Sequence, residues 1–449
     1  MKKILIANRG EIAVRIIRAC KEMNIKTVAI YSEADKNSLH TRLADEAICI
    51  GPAPSNKSYL NIKNIIEAAC ITKADSIHPG FGFLSENSKF AQICEESNIK
   101  FIGPKSEVID LLGNKSNSKE LMRKAGVPII PGSNGAIKSI KEAISICNKI
   151  GYPVMIKAAA GGGGKGIRVV NSEDELESSY NIVKQEARIS FSSDEVYIEK
   201  YIKNPRHVEI QILADEHGNI VHLGERDCTI QRNHQKIIEE TPSTAIDDRL
   251  RTKMGMAAIK AAKIAGYTSC GTVEFLVDSD KNFYFMEMNT RIQVEHPITE
   301  MRTGIDIVKE QIKIAAGEPL KFKQRDVKFD GCSIECRINA ENPIKNFMPC
   351  PGKITDIHFP GGNGIRVDTA IYSGYVIPPN YDSMIAKIIV HGATRNEAIS
   401  KMKRALEELV IDGVDTNRDF LFEIIRNPNF IRGNFDTSFI EKEILNKNN

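Results

Sequence analysis

The stretch GTVEFLVDSDKNFYFMEMNTRIQVEH, residues 271–296, decides the fold of the central part of the chain. Two runs rich in β-branched and aromatic residues flank the polar segment Asp278–Asn282, a pattern that predicts a β-hairpin. Glu274 and Glu287 lie equally far from the centre of the turn. A symmetric register therefore places the two carboxylates opposite one another on one face of the ribbon.

This facing pair of glutamates predicts a cation site. Carboxylates whose Cβ atoms lie about 5 Å apart destabilise a sheet unless a positive charge lies between them. Hard cations such as Mg²⁺ take oxygen ligands from one or two carboxylates and from substrate phosphates. A solvated hairpin face is the alternative explanation for a single glutamate pair.

The residues after the hairpin favour the cation site. If the chain stays extended past Met288, every second side chain projects from the same face as Glu287. Those side chains belong to Asn289, Arg291, Gln293 and Glu295. A solvated face does not account for such a row of functional groups.

The composition is that of an ordinary globular protein. The 449 residues suffice for about three domains, and 42% are hydrophobic and 27% charged. Lysine and arginine number 61 against 58 acidic residues, so the net charge of +3 provides no basic surface for a nucleic-acid backbone. No apolar run approaches the roughly 20 residues of a spanning helix, and the segment MKKILIANRG enters a strand rather than a signal-peptide core. We expect a cytoplasmic protein that binds neither nucleic acid nor membrane.

The ten cysteines do not predict a metal site or a disulfide framework. Four of them lie within apolar periodic segments and are predicted to be small buried hydrophobic residues: Cys20, Cys70, Cys94 and Cys147. Cys332 and Cys336 lack the spacing and the companion ligands of a zinc site.

The first 113 residues alternate between predicted strands and helices. Residues 3–8, 12–23 and 26–31 give a strand, an amphipathic helix and a second strand, which form a βαβ unit. The alternation continues and predicts an open parallel sheet at residues 1–113. Only Gly10 occurs in the first turn, so the dinucleotide-binding fingerprint is absent.

The central part, residues 114–329, contains a glycine loop between two predicted strands. The loop AAAGGGGKG at residues 158–166 offers N–H groups to phosphate oxygens, and Lys157 adds a fixed positive charge beside it. It is not a Walker A loop, because the Lys-Ser/Thr ending is missing and a strand follows instead of a helix. A flexible linker is the alternative, but the flanking strands and Lys157 favour a phosphate-binding lid.

The character of the chain changes near Asp330. GCSIECRINAE alternates between apolar and polar residues, and prolines and glycines are frequent at residues 343–381. A predicted helix follows at residues 395–409. These patterns predict a mixed α and β module at residues 330–449.

Taken together, these features resemble an ATP-grasp enzyme and, more narrowly, the biotin carboxylases that are subunits of bacterial acetyl-CoA carboxylase. The resemblance covers nearly all 449 residues and is carried by IANRGEIA (6–13), GPAPSNKSYLN (51–61), HPGFGFLSEN (78–87), NPRHVEIQ (204–211), ECRINAE (335–341) and PPNYDSM (378–384). It implies an α/β and α+β protein with three domains. They are a Rossmann-like domain at 1–113, an ATP-grasp domain at 114–329 with a mobile lid at 131–201, and a biotin carboxylase C-terminal domain at 330–449.

The resemblance also implies roles for individual residues. ATP is expected to contact Lys115, Lys157, Gly162, Gly163, Gly164, Glu199, Lys200, Ile202, His207, Gln231 and His234, and to be bound through a metal at Glu274 and Glu287. The metal, Mg²⁺ or Mn²⁺, is expected on Glu274, Glu287 and Asn289, in agreement with the hairpin argument. Bicarbonate and biotin are expected to contact Lys236, Arg291, Gln293, Val294, Glu295, Arg337, Phe81 and Gly82. Of these, Lys236, Arg291, Glu295 and Arg337 are the expected catalytic residues.

In the implied reaction, bicarbonate attacks the γ-phosphate of ATP, and the resulting carboxyphosphate supplies CO₂ to the enolate of biotin. Glu295 is expected to take the proton of bicarbonate, and Arg337 to hold the enolate. A fixed cation aimed at developing charge is worth about 3 kcal/mol. The expected partners are a separate biotin carboxyl carrier protein, carboxyltransferase subunits and a second copy of the chain in a homodimer.

Three other functions remain open. The chain could serve a biotin-dependent carboxylase of the pyruvate or propionyl-CoA type instead of acetyl-CoA carboxylase. It could be another ATP-grasp ligase that joins a carboxylate to an amine, although Arg337 and the RIQVE run argue against this. A noncatalytic nucleotide-binding regulator is expected to lack Lys236, Glu295 or a metal carboxylate, and all of these are present.

Overall fold

The computed structural model describes residues 1–158, 166–191 and 195–445, and combines parallel and antiparallel sheets with helices. This confirms the predicted mixture of α/β and α+β architecture.

A five-stranded parallel sheet forms the amino-terminal part, in the order β3-β2-β1-β4-β5. Its strands are β1 (Lys3–Ile6), β2 (Lys26–Ser32), β3 (Glu46–Gly51), β4 (Ser76–His78) and β5 (Lys100–Phe101). The helices are α1 (Gly10–Glu22), α2 (Leu39–Leu43), α3 (Ile62–Thr72), α4 (Ser88–Glu96) and α5 (Ser106–Gly113). The predicted open parallel sheet is confirmed.

Successive residues of each strand point to opposite faces of this sheet, so apolar side chains project from both faces and the helices cover them. Ile4 packs in one hydrophobic cluster and Leu5 in another, and both are fully buried. Asparagine side chains begin two of the helices. Asn61 accepts a hydrogen bond from a backbone N–H in α3, and Asn87 does the same for α4.

A three-stranded antiparallel sheet, in the order β7-β6-β8, follows in the chain. Its elements are α6 (Lys115–Lys124), α7 (Ile140–Ile150), β6 (Val154–Ala158), β7 (Ile167–Val170), α8 (Leu176–Phe191) and β8 (Val196–Lys200). Lys157 lies on β6, as predicted. Gly162, Gly163 and Gly164 lie outside the described residues, so their contact with phosphate and the motion of the lid stay predictions.

An eight-stranded antiparallel sheet, in the order β13-β12-β9-β10-β11-β14-β21-β19, forms the centre of the molecule. Its first five strands in the chain are β9 (Arg206–Ala214), β10 (Ile220–Arg232), β11 (Gln235–Thr241), β12 (Ser269–Val277) and β13 (Phe283–Asn289). The helices of this part are α9 (Asp248–Ile264), α10 (His296–Thr303) and α11 (Ile307–Ala315).

The carboxyl-terminal part contributes the remaining strands of this sheet and packs its own core. The strands of this part are β14 (Cys332–Asn339), β15 (Glu341–Asn342), β16 (Met348–Pro349), β17 (Gly352–Lys353), β18 (Asp356–His358), β19 (Ile365–Thr369), β20 (Val376–Ile377), β21 (Met384–Gly392) and β22 (Val410–Asp412). Only β14, β19 and β21 belong to the eight-stranded sheet, and the others form two-stranded sheets, β15 with β16, β17 with β20 and β18 with β22. The helices are α12 (Arg395–Glu408), α13 (Arg418–Arg426) and α14 (Pro428–Ile431), followed by a π-helix at Ile440–Leu445. Because β14 pairs with β11, the sheet continues across the expected domain boundary at residue 330.

Three of the four cysteines that we predicted to be buried are buried, namely Cys20, Cys94 and Cys147. The prediction is wrong for Cys70, which is exposed because it points away from the packed face of α3. Among the described helices, none is both long enough and apolar enough to cross a membrane.

Candidate active site

The hairpin of β12 and β13 pairs Glu274 directly with Glu287, which confirms the predicted facing pair. A β-bulge follows Glu274 and shifts the register towards the turn. The strand ends at Asn289, and residues 290–295 form bends and turns instead of the extended row that we expected. The amide side chains of Asn289 and Gln293 nevertheless both donate to Glu274.

The buried carboxylate of Glu274 accepts hydrogen bonds from four side chains. Its Oε1 accepts from Lys236 at 2.9 Å, from Asn289 at 2.9 Å and from Gln293 at 2.7 Å. Its Oε2 lies 2.8 Å from Nε2 of His207. Burial alone would raise the pKa of Glu274, but the charge of Lys236 and the hydrogen bond from His207 hold it well below its usual range. Glu274 is therefore ionised.

The hydrogen bonds of His207 define its tautomer. Nε2 of Gln231 donates to the carbonyl of Cys228 at 2.8 Å and lies 2.8 Å from Nδ1 of His207. An amide nitrogen only donates, so Nδ1 accepts and the ring proton is on Nε2. The neutral ring of His207 thus donates to Glu274.

Glu287 differs from its partner because its side chain is exposed and accepts no hydrogen bond from the described residues. Removal from bulk water in the cleft and the charge of Glu274 raise the pKa of Glu287, against the lowering effect of Lys115. A hard cation between these carboxylates and the Asn289 oxygen would relieve the repulsion with the oxygen ligands that such ions prefer. The residues present therefore fit Mg²⁺ or Mn²⁺.

A second group of possible ligands lies on the other side of Glu274. His207, Glu209 and Glu274 bring one ligand atom each within 4.8 Å of the others. Lys236 Nζ already lies 2.6 Å from Glu209 and 2.9 Å from Glu274. Because a lysine cation bridges these carboxylates, a metal is better accommodated on the Glu287 side.

Lys236 and Arg337 meet at Glu295. Lys236 Nζ donates to Oε1 at 2.7 Å, and Nη2 of Arg337 donates to Oε2 at 2.9 Å. Burial alone would raise the pKa of Glu295, but these two cations and Arg226 hold it well below its usual range. Glu295 also precedes α10, whose amino-terminal dipole favours an anion there. An anion that competes for the two cations would leave Glu295 a better proton acceptor.

Arg291 and Val294 are positioned by residues from other parts of the chain. Nε of Arg291 donates to Glu86 at 2.8 Å, and its Nη2 donates to Asn289 at 3.0 Å. The carbonyl of Val294 accepts a hydrogen bond from the buried Lys387 at 2.8 Å.

Twelve of the predicted site residues line a single cavity of about 440 Å³. They are His207, Gln231, His234, Lys236, Glu274, Glu287, Asn289, Arg291, Gln293, Val294, Glu295 and Arg337. The cavity therefore combines carboxylates for a cation with cations for two anions, which suits the joining of a phosphoryl donor and a small oxyanion.

The other two predicted substrate contacts, Phe81 and Gly82, line a neighbouring cavity of about 560 Å³. This cavity shares Arg291, Val294 and Arg337 with the first one. Asn8 Nδ2 holds the loop in place by donating to the carbonyl of Phe81 at 2.7 Å. The two cavities form one cleft around Arg337.

A third cavity, of about 450 Å³, contains Lys115 and Glu199. Glu199 accepts a hydrogen bond from Lys157 at 2.7 Å and another from Lys119. The predicted ATP contacts thus divide between this cavity and the cleft.

Among the described residues, three predicted contacts do not line these cavities: Lys157, which reaches the third one only through its bond to Glu199, Lys200 and Ile202. Lys200 follows Glu199 on β8 and lies on the opposite face, where Nζ donates to the carbonyls of Gly151 and Tyr152, at 3.0 Å each. Ile202 lies half-buried between β8 and β9. Lys200 could therefore contact the nucleotide only through its main chain.

Four residues of the site were not assigned from the sequence: Glu86, Lys119, Glu209 and Arg226. Arg226 is fully buried and donates to Glu209 at 2.6 Å and to Gln293 at 2.8 Å. Arg226 lies on β10, in the polar stretch ERDCTIQRNHQKIIEE at residues 225–240, which forms part of the hairpin of β10 and β11.

The turn of that hairpin could have been recognised in the sequence. Arg232 pairs with Gln235, so Asn233 and His234 form a two-residue turn in which both have positive φ, +50° and +63°. Asparagine is favoured in such turns. The turn also brings His234 to the cleft.

Comparisons with known families cover most of the chain. The model "Biotin carboxylase, N-terminal domain" matches residues 1–109. The model "Carbamoyl-phosphate synthase L chain, ATP binding domain" matches residues 114–323. The model "Biotin carboxylase C-terminal domain" matches residues 335–442.

Similar proteins extend over the full length of the chain. Biotin carboxylase 1 of Bacillus subtilis is 60% identical over 442 residues, which cover 98% of each chain. A pyruvate carboxylase subunit of Methanothermobacter thermautotrophicus is 56% identical and covers 98% of this chain and 89% of its own. Among solved structures, the biotin carboxylase domain dimer of the Hydrogenobacter thermophilus 2-oxoglutarate carboxylase is 51% identical, with a TM-score of 0.90 over 98% of this chain and 97% of its own. From its sequence, its fold and its cleft, the chain belongs to the biotin carboxylase family of ATP-grasp enzymes.

Proposed function

We propose that this chain carboxylates biotin held on a separate carrier protein, with ATP and bicarbonate as the other substrates. The observation that carries this proposal is the meeting of Lys236 and Arg337 at Glu295, next to the carboxylates Glu274 and Glu287. The related Hydrogenobacter thermophilus domain was solved with MgADP, ADP and bicarbonate, which supports the same substrates for this chain.

ATP would occupy the cleft and the cavity around Glu199. Lys115 and Lys157 would contact its phosphates, with Gly162, Gly163 and Gly164 closing over them, as the family resemblance implies. Mg²⁺ or Mn²⁺ held by Glu274, Glu287 and Asn289 would neutralise the phosphate oxygens.

Bicarbonate would bind between Lys236, Arg291 and the main chain at Val294. Its negative charge would compete with Glu295 for Lys236 and Arg337, which raises the pKa of Glu295 towards its usual range. Glu295 can then accept the bicarbonate proton as the oxygen attacks the γ-phosphate. The products are carboxyphosphate and ADP.

Biotin would enter the part of the cleft that contains Phe81 and Gly82. Carboxyphosphate yields CO₂ and phosphate, the phosphate removes the ureido proton of biotin, and the enolate attacks CO₂. The guanidinium of Arg337 would stabilise the developing oxyanion, an effect worth about two orders of magnitude in rate.

The final carboxyl acceptor determines the metabolic role. We propose the first half-reaction of acetyl-CoA carboxylase, which leads to malonyl-CoA and fatty acid synthesis, with carboxyltransferase subunits as partners and a homodimeric, cytoplasmic enzyme. The relatives include components of a pyruvate carboxylase and of a 2-oxoglutarate carboxylase, so a role with a keto acid is the alternative.

The decisive experiment measures ADP release with MgATP alone, after addition of bicarbonate, and after addition of free biotin. We expect bicarbonate to start slow cleavage and biotin to accelerate it, with label from ¹⁴C-bicarbonate appearing in carboxybiotin. Activation by other carboxylic acids and an amine would indicate a different ATP-grasp ligase. Nucleotide binding without turnover would indicate a regulator. Pairing the enzyme with purified carboxyltransferases for acetyl-CoA, propionyl-CoA and pyruvate would then identify the acceptor.

A further inference from the structure

Another pair of facing carboxylates lies on the same sheet, behind the cleft. Glu239 on β11 pairs directly with Glu335 on β14. Both side chains are 0% exposed. Direct cross-strand partners have Cβ atoms about 5 Å apart, so two ionised carboxylates at this depth would repel strongly.

The hydrogen bonds of the two carboxyl groups are unequal. Oε1 of Glu239 accepts from Nε of Arg337 at 2.6 Å. The other oxygen of Glu239 and both oxygens of Glu335 are buried without a hydrogen-bond partner among the described residues. Buried polar atoms are rarely left unpaired, because each costs about 1–3 kcal/mol. A single proton on Glu335, donated to Oε2 of Glu239, would satisfy one oxygen of each residue.

Within the described part of the chain, the cations that face the pair are all engaged, and of these Arg337 bonds one member of the pair, Glu239. Arg337, on the same strand as Glu335, is bonded to Glu239 and Glu295. Lys387, on the neighbouring strand β21, lies 3.0 Å from Glu11 and donates to the carbonyl of Val294.

Lys236, on β11, is bonded to Glu209, Glu274 and Glu295.

Burial raises the pKa of Glu335 well above its usual range, although Lys387 opposes the effect. Burial also raises the pKa of Glu239 to about 7, with Arg337 opposing.

We propose that Glu239 and Glu335 share one proton and that the resulting singly charged pair positions Arg337 for catalysis. The negative charge on Glu239 fixes Nε of Arg337, while Nη2 reaches Glu295 and Nη1 has no protein acceptor among the described residues. With Nε and Nη2 held, the guanidinium keeps one edge for the substrate in the cleft. This inference rests on the role proposed above for Arg337.

A pair with no proton and a pair with two protons would each misplace Arg337. If both carboxylates were ionised, the guanidinium would be drawn towards the pair and away from Glu295. If both were protonated, Arg337 would have Glu295 as its only anionic partner and would hold the proposed base more tightly. A misplacement of about 1 Å costs up to about a hundredfold in rate.

Infrared spectroscopy tests the shared proton without reference to activity. At neutral pH in D₂O, the wild-type protein should show the C=O stretch of a buried protonated carboxyl group, and Glu335→Gln should lack it. Glu240→Gln is the matched control, because Glu240 is the next residue on β11, is also buried, and bonds Arg395 instead of Arg337. Persistence of the same band in Glu335→Gln, or its absence from the wild type, would overturn the proposal.

Kinetics test the positioning of Arg337. Glu335→Gln replaces one neutral hydrogen-bond donor with another, so the rate of biotin carboxylation should stay within about threefold of the wild-type rate. Glu239→Gln, in contrast, should lower kcat by about tenfold to a hundredfold with little change in KM for ATP. Glu239→Asp should recover part of the loss. In the wild type, kcat for biotin should fall on acidification as Glu239 takes a second proton, more steeply than ATP cleavage without biotin.

Equal losses in Glu239→Gln and Glu240→Gln, or a wild-type rate in Glu239→Gln, would refute the positioning role. Failure of the proposed function is distinguishable, because the wild type itself would then not carboxylate biotin while the infrared result would stand. If Glu239→Gln does not fold, two measurements still decide. They are the infrared comparison of the wild type with Glu335→Gln and the fall of the wild-type kcat for biotin on acidification.

Discussion

The structure relieves the repulsion within two of the facing glutamate pairs on the antiparallel sheet in different ways. Glu274 and Glu287 form the outer pair at the cleft, and Glu239 and Glu335 form the inner pair behind it. In the outer pair, Glu287 is exposed and without a hydrogen bond from the described residues. In the inner pair, both side chains are fully buried.

This difference in exposure shows how the same cross-strand arrangement serves two purposes. An open pair can be balanced by a cation that arrives with a nucleotide, so its net charge changes during the reaction. A closed pair must be balanced within the fold, by Arg337 and by a retained proton, so its net charge stays constant. The outer pair suits a binding site, and the inner pair suits a support for a catalytic group.

Glu274→Gln should break the outer pair with the largest effect. The substitution removes a proposed metal ligand and the anion that Lys236 and His207 contact. We expect bicarbonate-dependent ATP cleavage to fall by about a thousandfold, with little recovery at high Mg²⁺. ADP release measured across a Mg²⁺ titration checks this, with Asp280→Asn in the turn of the same hairpin as a control at the wild-type rate. A loss of less than tenfold would mean that the outer pair does not hold the metal.

Glu295→Gln tests the residue that links the two pairs, since Glu295 contacts both Lys236 and Arg337. Turnover should fall by at least about a hundredfold because the proposed general base is lost. Binding of MgATP, measured by calorimetry without bicarbonate, should remain. Near-normal turnover would remove Glu295 from the role of base, and loss of MgATP binding would make it a structural residue.

Arg337→Ala should separate the two stages of the reaction. Incorporation of label from ¹⁴C-bicarbonate into biotin should fall by about a hundredfold, whereas slow ATP cleavage without biotin should fall by less than about tenfold. Arg337→Lys is the matched variant. It keeps the charge but lacks the fork that reaches both Glu239 and Glu295, so it should recover little. Equal losses in the two assays would contradict a role at the enolate.

The outer pair could be predicted from local sequence, because a hairpin depends on short-range patterns. Alternating β-branched and aromatic residues on both sides of Asp278–Asn282 set the register, and the register sets the facing glutamates. The parallel sheet of residues 1–113 was predictable for a similar reason, since its buried strands and amphipathic helices have distinct periods.

The inner pair and its surroundings could not be predicted in this way. Residues 225–240 contain many charges and look solvated, yet residues 221–231 and 237–240 are all buried. The counter-charges lie on other strands, because Arg226 bonds Glu209, 17 residues away, and Arg337 bonds Glu239, 98 residues away. Hydropathy treats a buried ion pair as polar surface, so only the assembled sheet reveals that these charges are internal.

Glu335→Gln should give the smallest effect, on stability, and tests whether the inner pair retains its proton. Burial raises the pKa of Glu335 well above 4.5 in the folded protein. The unfolded chain loses this proton above its ordinary pKa while the folded protein keeps it. The wild type is therefore most stable below that pKa and loses stability as the pH rises, by up to about 1.4 kcal/mol per pH unit from this group.

Glu335→Gln has no such proton to keep, so its unfolding temperature should rise relative to the wild type between pH 5 and pH 8, by about 2–4 °C for each kcal/mol recovered. Thermal unfolding at several pH values measures the difference, with the exposed Glu423→Gln as a control that should follow the wild type. A difference that does not change with pH would mean that Glu335 is ionised in the folded protein. The inner pair would then carry two charges, and the contrast with the outer pair would disappear.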